Sequence, residues 1–120
     1  NLLSRIELIE YATDAELNYL YKNAAVFVSP SLYEGFGYTP IEAAMHAIPV
    51  ITTKTSSLYE VTHGKVYYYD PPQNEFQLKQ VLLTPPSKQE LLEISKDFRE
   101  LYKPSSQVRN IDCVIRKCIN

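Results

Sequence analysis

Between Ser29 and Glu42 the chain reads Ser-Pro-Ser-Leu-Tyr-Glu-Gly-Phe-Gly-Tyr-Thr-Pro-Ile-Glu, and two of its three glycines, Gly35 and Gly37, fall in this stretch. Glycines between a buried strand and a helix let backbone N–H groups come close to a ligand. Thr39 reads as the N-cap of the following helix, Pro40 as its first residue and Glu42 as the residue three places after the cap. A helix start at the carboxyl edge of a parallel sheet favours an anion, because unpaired donors and the helix dipole point the same way. Phosphates of nucleotides commonly occupy such places.

Each of these residues also has a plainer use. Glu42 can close a capping box with Thr39, a structural role worth about 1 kcal/mol. Gly35 and Gly37 can serve a tight turn alone, and Glu34 can be a solvated loop carboxylate. Glu34 and Glu42 can also be read as an acid/base pair for glycoside hydrolysis, although nothing in the sequence sets them across a sugar. Pro40 stands where a dinucleotide fingerprint needs its third glycine, which argues against a nicotinamide or flavin cofactor.

The elements that must position this loop follow from periodicity. Four β-like runs occupy residues 6–9, 25–29, 48–52 and 66–69. Between them Leu17, Leu20, Tyr21 and Ala24, and then Ile41, Ala44, Met45 and Ile48, repeat at helical spacing. Thr13 with Glu16 forms a capping-box pattern ahead of the first helix. Ser87 with Glu90 opens a later helix whose stripe is Leu91, Ile94, Phe98 and Leu101. Pro71-Pro72 and Pro85-Pro86 bound a short helix around Phe76 to Leu82. Lys103-Pro104 breaks the pattern, and a last helix over residues 104–120 places Val108, Ile111, Ile115 and Ile119 on one side. Strands alternating with helices predict an α/β fold with a parallel sheet of about four strands. The run Ala-Val-Phe-Val-Ser is apolar on both faces, as expected of a strand covered on both sides.

Composition narrows the function classes. The 120 residues make about one domain, 45% apolar and 22% charged, with a net charge of -2 that gives no reason to bind nucleic acid. The last stretch leans basic through Arg109, Arg116 and Lys117, which suits a solvated helix face or contact with phosphates or headgroups. Cys113 and Cys118, five residues apart, form no CxxC pair and read as reduced thiols, which points to the cytoplasm. His46 and His63 lie far from them, so no zinc spacing exists. No apolar run is long enough to span a membrane. Asn1 to Arg5 resemble no signal peptide and lack an initiator Met, so a piece of a longer protein is expected.

Pro30-Ser31-x-x-Glu34-Gly35-Phe36-Gly37, then Glu42-Ala43-Ala44-Met45, Ile48-Pro49-Val50 and Glu60-Val61, resembles glycosyltransferase family 4, the glycosyl transferases of group 1. Glu34 and Glu42 match that family's E-x7-E motif. The resemblance runs from about residue 6 to residue 71, and weakly beyond. It implies an incomplete Rossmann-like C-terminal domain of the GT-B fold that binds a nucleotide sugar, and retaining transfer from a nucleotide diphosphate sugar, usually without a metal ion. It places Glu34 beside the transferred sugar and Glu42 on the ribose hydroxyls. Backbone amides of Gly35, Phe36, Gly37, Tyr38 and Thr39 would face the sugar and the distal phosphate, and Tyr11 and Ala12 would border the base.

Departures from the family pattern set further expectations. The phosphate-clamping Arg and Lys of the family precede this stretch, and neither Arg5 nor Lys22 replaces them. The acceptor-binding N-terminal domain would lie in a parent protein, which leaves membrane association of that parent open. The isolated chain is therefore expected to be inactive. The rival reading is a non-catalytic nucleotide-sugar-binding or interaction module with the same fold. Ala47 stands where the family has glycine at the helix end, which makes that turn costlier. Of the six strands in the intact domain, ordered 3-2-1-4-5-6, the four runs here correspond to the third through sixth. Residues 6–9 are expected to pair directly with residues 25–29, or the open edge to be covered by a second copy of the chain.

Overall fold

The structure, a computed structural model, describes residues 2–69 and 75–119. After a 3-10 turn over Leu2–Arg5, the order is α1 (Asp14–Asn23), β1 (Phe27–Ser29), α2 (Tyr38–Met45), β2 (Val50–Thr53), α3 (Leu58–Val61) and β3 (Tyr67–Tyr69). Three helices follow, α4 (Glu75–Leu83), α5 (Lys88–Leu101) and α6 (Pro104–Ile119). The strands form one parallel sheet in the order β1-β2-β3, with Ser29 opposite Thr52 and Thr52 opposite Tyr68. This is the expected α/β, Rossmann-like arrangement of parallel strands with flanking helices.

The sheet has three strands among the described residues, where four were expected. Residues 6–9 form no strand, and their expected pairing with residues 25–29 is not made, since β1 pairs only with β2. Ile6, Leu8 and Ile9 are 68%, 86% and 48% exposed. A short run holds a strand only when a neighbour takes its hydrogen bonds and an apolar floor takes its side chains. Among the described residues no strand pairs with residues 6–9.

Local signals in α1 and α5 are realised. Thr13 accepts from the Glu16 amide at 3.3 Å, while Glu16 accepts from the Thr13 amide at 2.8 Å. Ser87 caps α5 by accepting from the Glu90 amide at 3.2 Å. The α1 stripe is only half used. Tyr21 is buried, but Leu17 and Leu20 remain exposed, since among the described residues the sheet ends at β1.

Coverage on both faces belongs to β2, whose four residues are all buried, rather than to β1, where Val28 stays exposed. Ile41, Ala43, Ala44, Ile48 and Val50 make the core with Phe98 of α5. Ser95 Oγ donates to the Met45 carbonyl at 2.6 Å and Arg99 Nε to the same oxygen at 3.0 Å, so α5 closes the C-terminal end of α2. At that end Ala47 adopts φ 56°, the left-handed conformation that the missing glycine would have favoured. Beyond α5, Val108 and Ile111 of α6 are exposed. Pro71-Pro72 and the side chains of Phe76, Cys113, Ile115, Lys117, Cys118 and Ile119 lie outside the described residues. No helix among the described residues is long and apolar enough to cross a membrane.

Candidate functional site

The loop of residues 30–37 leaves the carboxyl end of β1 and enters α2. Its course is set by hydroxyl donors from the next crossover, the segment between β2 and α3. Thr53 Oγ1 donates to the Ser31 carbonyl at 2.7 Å, and Thr55 Oγ1 reaches the same oxygen at 3.3 Å. Ser56 and Ser57 donate to the Glu34 carbonyl at 2.9 and 3.1 Å, and Ser57 also donates to the Phe36 carbonyl at 3.1 Å. Sequence reasoning missed this clamp. Its signal was the run Thr52-Thr53-Lys54-Thr55-Ser56-Ser57, which follows a parallel strand and so emerges at the same edge as the motif loop.

The two glycines do different things. Gly37 is buried at φ 95°, and a Cβ there would lie 2.7 Å from Leu58 Cδ2, inside the fully buried α3 contact. Gly35 has nothing within 4 Å of a would-be Cβ and faces open space. Glu34 is half-buried, and its Oε1 accepts from Ser31 Oγ at 2.7 Å. The Phe36 ring lies 4.5 Å from that of Tyr38, which is exposed, as is Thr39.

The helix start differs from expectation. Gly37, not Thr39, is the N-cap of α2, and no side chain caps it. Tyr38, Thr39 and Pro40 fill the first turn, where proline costs no hydrogen bond because the first amides have no partner inside the helix. Thr39 is helical although the residue before a proline prefers extended backbone. Glu42 becomes the fifth helical residue, beyond reach of the cap, and the Thr39–Glu42 capping box is not formed.

The Glu42 carboxylate meets α1 instead. Tyr21 donates its hydroxyl to Glu42 Oε2 at 3.3 Å. Burial, the Glu42 charge and this bond push the Tyr21 hydroxyl up to about 12, so it remains a protonated donor at neutral pH. Glu34 and Glu42 therefore have separate hydrogen-bond partners, Ser31 and Tyr21. Tyr11, 82% exposed, lines a 420 Å³ cavity with Ile9, Ala12, Ala15 and Tyr19, between the N-terminal segment and α1. That lining holds no residue of 34–42. Among the described residues no group of His, Cys, Asp and Glu could hold a metal ion.

A parallel sheet whose carboxyl edge carries a glycine loop and a helix start belongs to the open α/β proteins, which take ligands at that edge. Residues 1–85 match the family described as glycosyl transferases group 1, and the chain belongs to that family. It is 41% identical over 66 residues to the O-antigen chain mannosyltransferase B of Escherichia coli, covering 55% of this chain and 17% of that protein. To the sucrose-phosphate synthase of Zea mays it is 33% identical over 68 residues, covering 53% of this chain and 6% of that protein. To the O-antigen chain mannosyltransferase RfbU of Salmonella typhimurium it is 34% identical over 70 residues, covering 58% of this chain and 20% of that protein. The chain thus spans a fifth or less of these relatives. No solved structure gives a significant match.

Proposed function

We propose that this chain forms the donor-site portion of a retaining glycosyltransferase, which moves a hexose from a nucleotide diphosphate sugar to an acceptor bound elsewhere in a longer protein. The supporting observation is the start of α2: an N-terminus with no side-chain cap, behind a loop fixed in place by neighbouring hydroxyls. Relatives named for mannosyl transfer and for sucrose-phosphate synthesis support hexosyl chemistry as the class.

In this reading the amides of residues 35–39 and the α2 dipole offset negative charge on the leaving diphosphate. Glu34 stands by the sugar, where a carboxylate offsets positive charge growing at the anomeric carbon. Glu42 accepts hydrogen bonds from the ribose hydroxyls. The chain alone transfers no sugar, because acceptor contacts and a basic phosphate clamp belong to the longer protein.

Titration of the chain with UDP, GDP and ADP, followed by amide NMR, tests the binding half. Shifts at Gly35 to Thr39 are expected, with affinity of about 1 mM or weaker, since the charge-assisted phosphate contacts are missing. Nucleotides that leave these amides unmoved at high concentration would sink the donor-site reading. In the longer protein, Glu42→Gln should weaken nucleoside diphosphate binding, while Glu34→Gln should lower turnover more than affinity. Glu42→Gln with unchanged affinity would return Glu42 to a structural role.

A further inference from the structure

Tyr21 is the one buried residue that α1 contributes to the core. Its ring lies 6.0 Å from Phe27 of β1 and stacks on His46 at 5.0 Å with an interplanar angle of 24°. His46, the C-cap of α2, lies one turn after Glu42, and its Nδ1–H donates to the Glu42 carbonyl at 2.9 Å. The Asn18 side-chain amide lies 3.0 Å from His46 Nε2. Asn18 and Tyr21 share one face of α1, as Glu42 and His46 share one face of α2. Four side chains thus tie the two helices together, and the Tyr21 hydroxyl on Glu42 Oε2 is the tie that reaches the carboxylate.

An exposed glutamate on a helix has three side-chain torsions to fix before it can bind anything. A donor anchored in the core removes part of that freedom beforehand. The Tyr21 ring is already held on both sides, so its packing needs no hydroxyl. The hydroxyl serves Glu42.

We infer that Tyr21 is a positioning residue: its hydroxyl holds one oxygen of Glu42 so that the carboxylate is set in advance to accept from the vicinal hydroxyls of a nucleotide ribose. This rests on the reading of Glu42 given above. It adds that ribose recognition depends on a residue of α1 that touches no ligand.

The test compares GDP and UDP with their 2′,3′-dideoxy forms, by amide NMR titration of the full chain as wild type, Glu42→Gln and Tyr21→Phe. The wild type should favour the ribose forms, and Glu42→Gln should abolish that preference. Tyr21→Phe should reduce the preference about fivefold, the worth of one hydrogen bond to a charged group less its desolvation, while dideoxy affinity stays unchanged. A merely structural tyrosine would weaken both forms alike. If Glu42→Gln abolishes the preference and Tyr21→Phe keeps it whole, the positioning role is overturned and the ribose reading stands. A wild type with no ribose preference overturns both. Should Tyr21→Phe fail to fold, Tyr21→4-fluorophenylalanine fills the volume of the hydroxyl without donating, and the same outcomes decide.

Discussion

Residues 30–37 and residues 6–12 are both irregular segments, and both carry exposed apolar side chains, yet they are held very differently. The motif loop takes hydroxyl donors from Thr53, Thr55, Ser56 and Ser57 on its carbonyls and buries Gly37 against Leu58. The N-terminal segment leaves Ile6, Leu8 and Tyr11 largely in solvent. The N-terminal run reads more like a strand than the loop does. What separates them is the surroundings: an adjacent crossover supplies donors to one, and among the described residues no strand meets the other. Hydrophobic sequence becomes structure only where a second surface receives it.

The largest effect that could break this contrast lies at Gly37. Gly37→Ala should destabilise by about 3 kcal/mol, from positive-φ strain plus overpacking on Leu58. Gly35→Ala, with open space around it, should cost less than about 0.5 kcal/mol. Urea unfolding of the pair measures both, and equal losses would mean that the loop is not anchored at Gly37.

A smaller loss sharpens the role of the clamp. Ser57→Ala removes one hydroxyl donor shared by two carbonyls and should cost about 1 kcal/mol. Amide exchange at Gly35 to Gly37 should quicken in that variant, while exchange in α5 should not.

Two changes of comparable size should stabilise. Ala47→Gly relieves the left-handed conformation and should add up to about 1 kcal/mol, with the gain reduced by the larger unfolded-state entropy of glycine. Thr52 Oγ1 is buried with no partner among the described residues, so Thr52→Val should add about 1 kcal/mol. Thermal melts check both. A loss at Thr52→Val would reveal a partner for that hydroxyl.

The N-terminal segment should respond least to its own residues. Leu8→Lys should change stability by less than about 0.5 kcal/mol. A change in sedimentation coefficient with the same substitution would show the segment used between copies of the chain.

The smallest expected effect belongs to the cap where the segment joins α1. The Thr13 amide and hydroxyl bonds hold the Glu16 carboxyl below its usual 4.5. Its contribution is therefore present above about pH 4.5 and is lost as pH falls through the lower folded value. Helicity of α1 should fall in that acid window, and Glu16→Gln should flatten the response.

By itself the sequence determined what depends on neighbours a few residues apart. Alternation of strands and helices, the caps at Thr13 and Ser87 and the Glu34–Glu42 spacing are of this kind, because each is set within one or two turns of chain. The tertiary structure decided what depends on distant partners. Residues 6–9 carry a strand pattern but find no ladder, which periodicity cannot report. Thr39 and Glu42 spell a capping box, yet the helix starts after Gly37, where only glycine leaves room for Leu58, twenty-one positions on, and the glutamate stands clear of the cap. Ser57 meets Glu34 across 23 positions and Tyr21 meets Glu42 across 21, and neither spacing leaves a local trace. Parallel strands joined by crossovers bring such residues to one edge only after the whole sheet has formed, so the motif's residues were legible in the chain while the bonds that hold the loop were not.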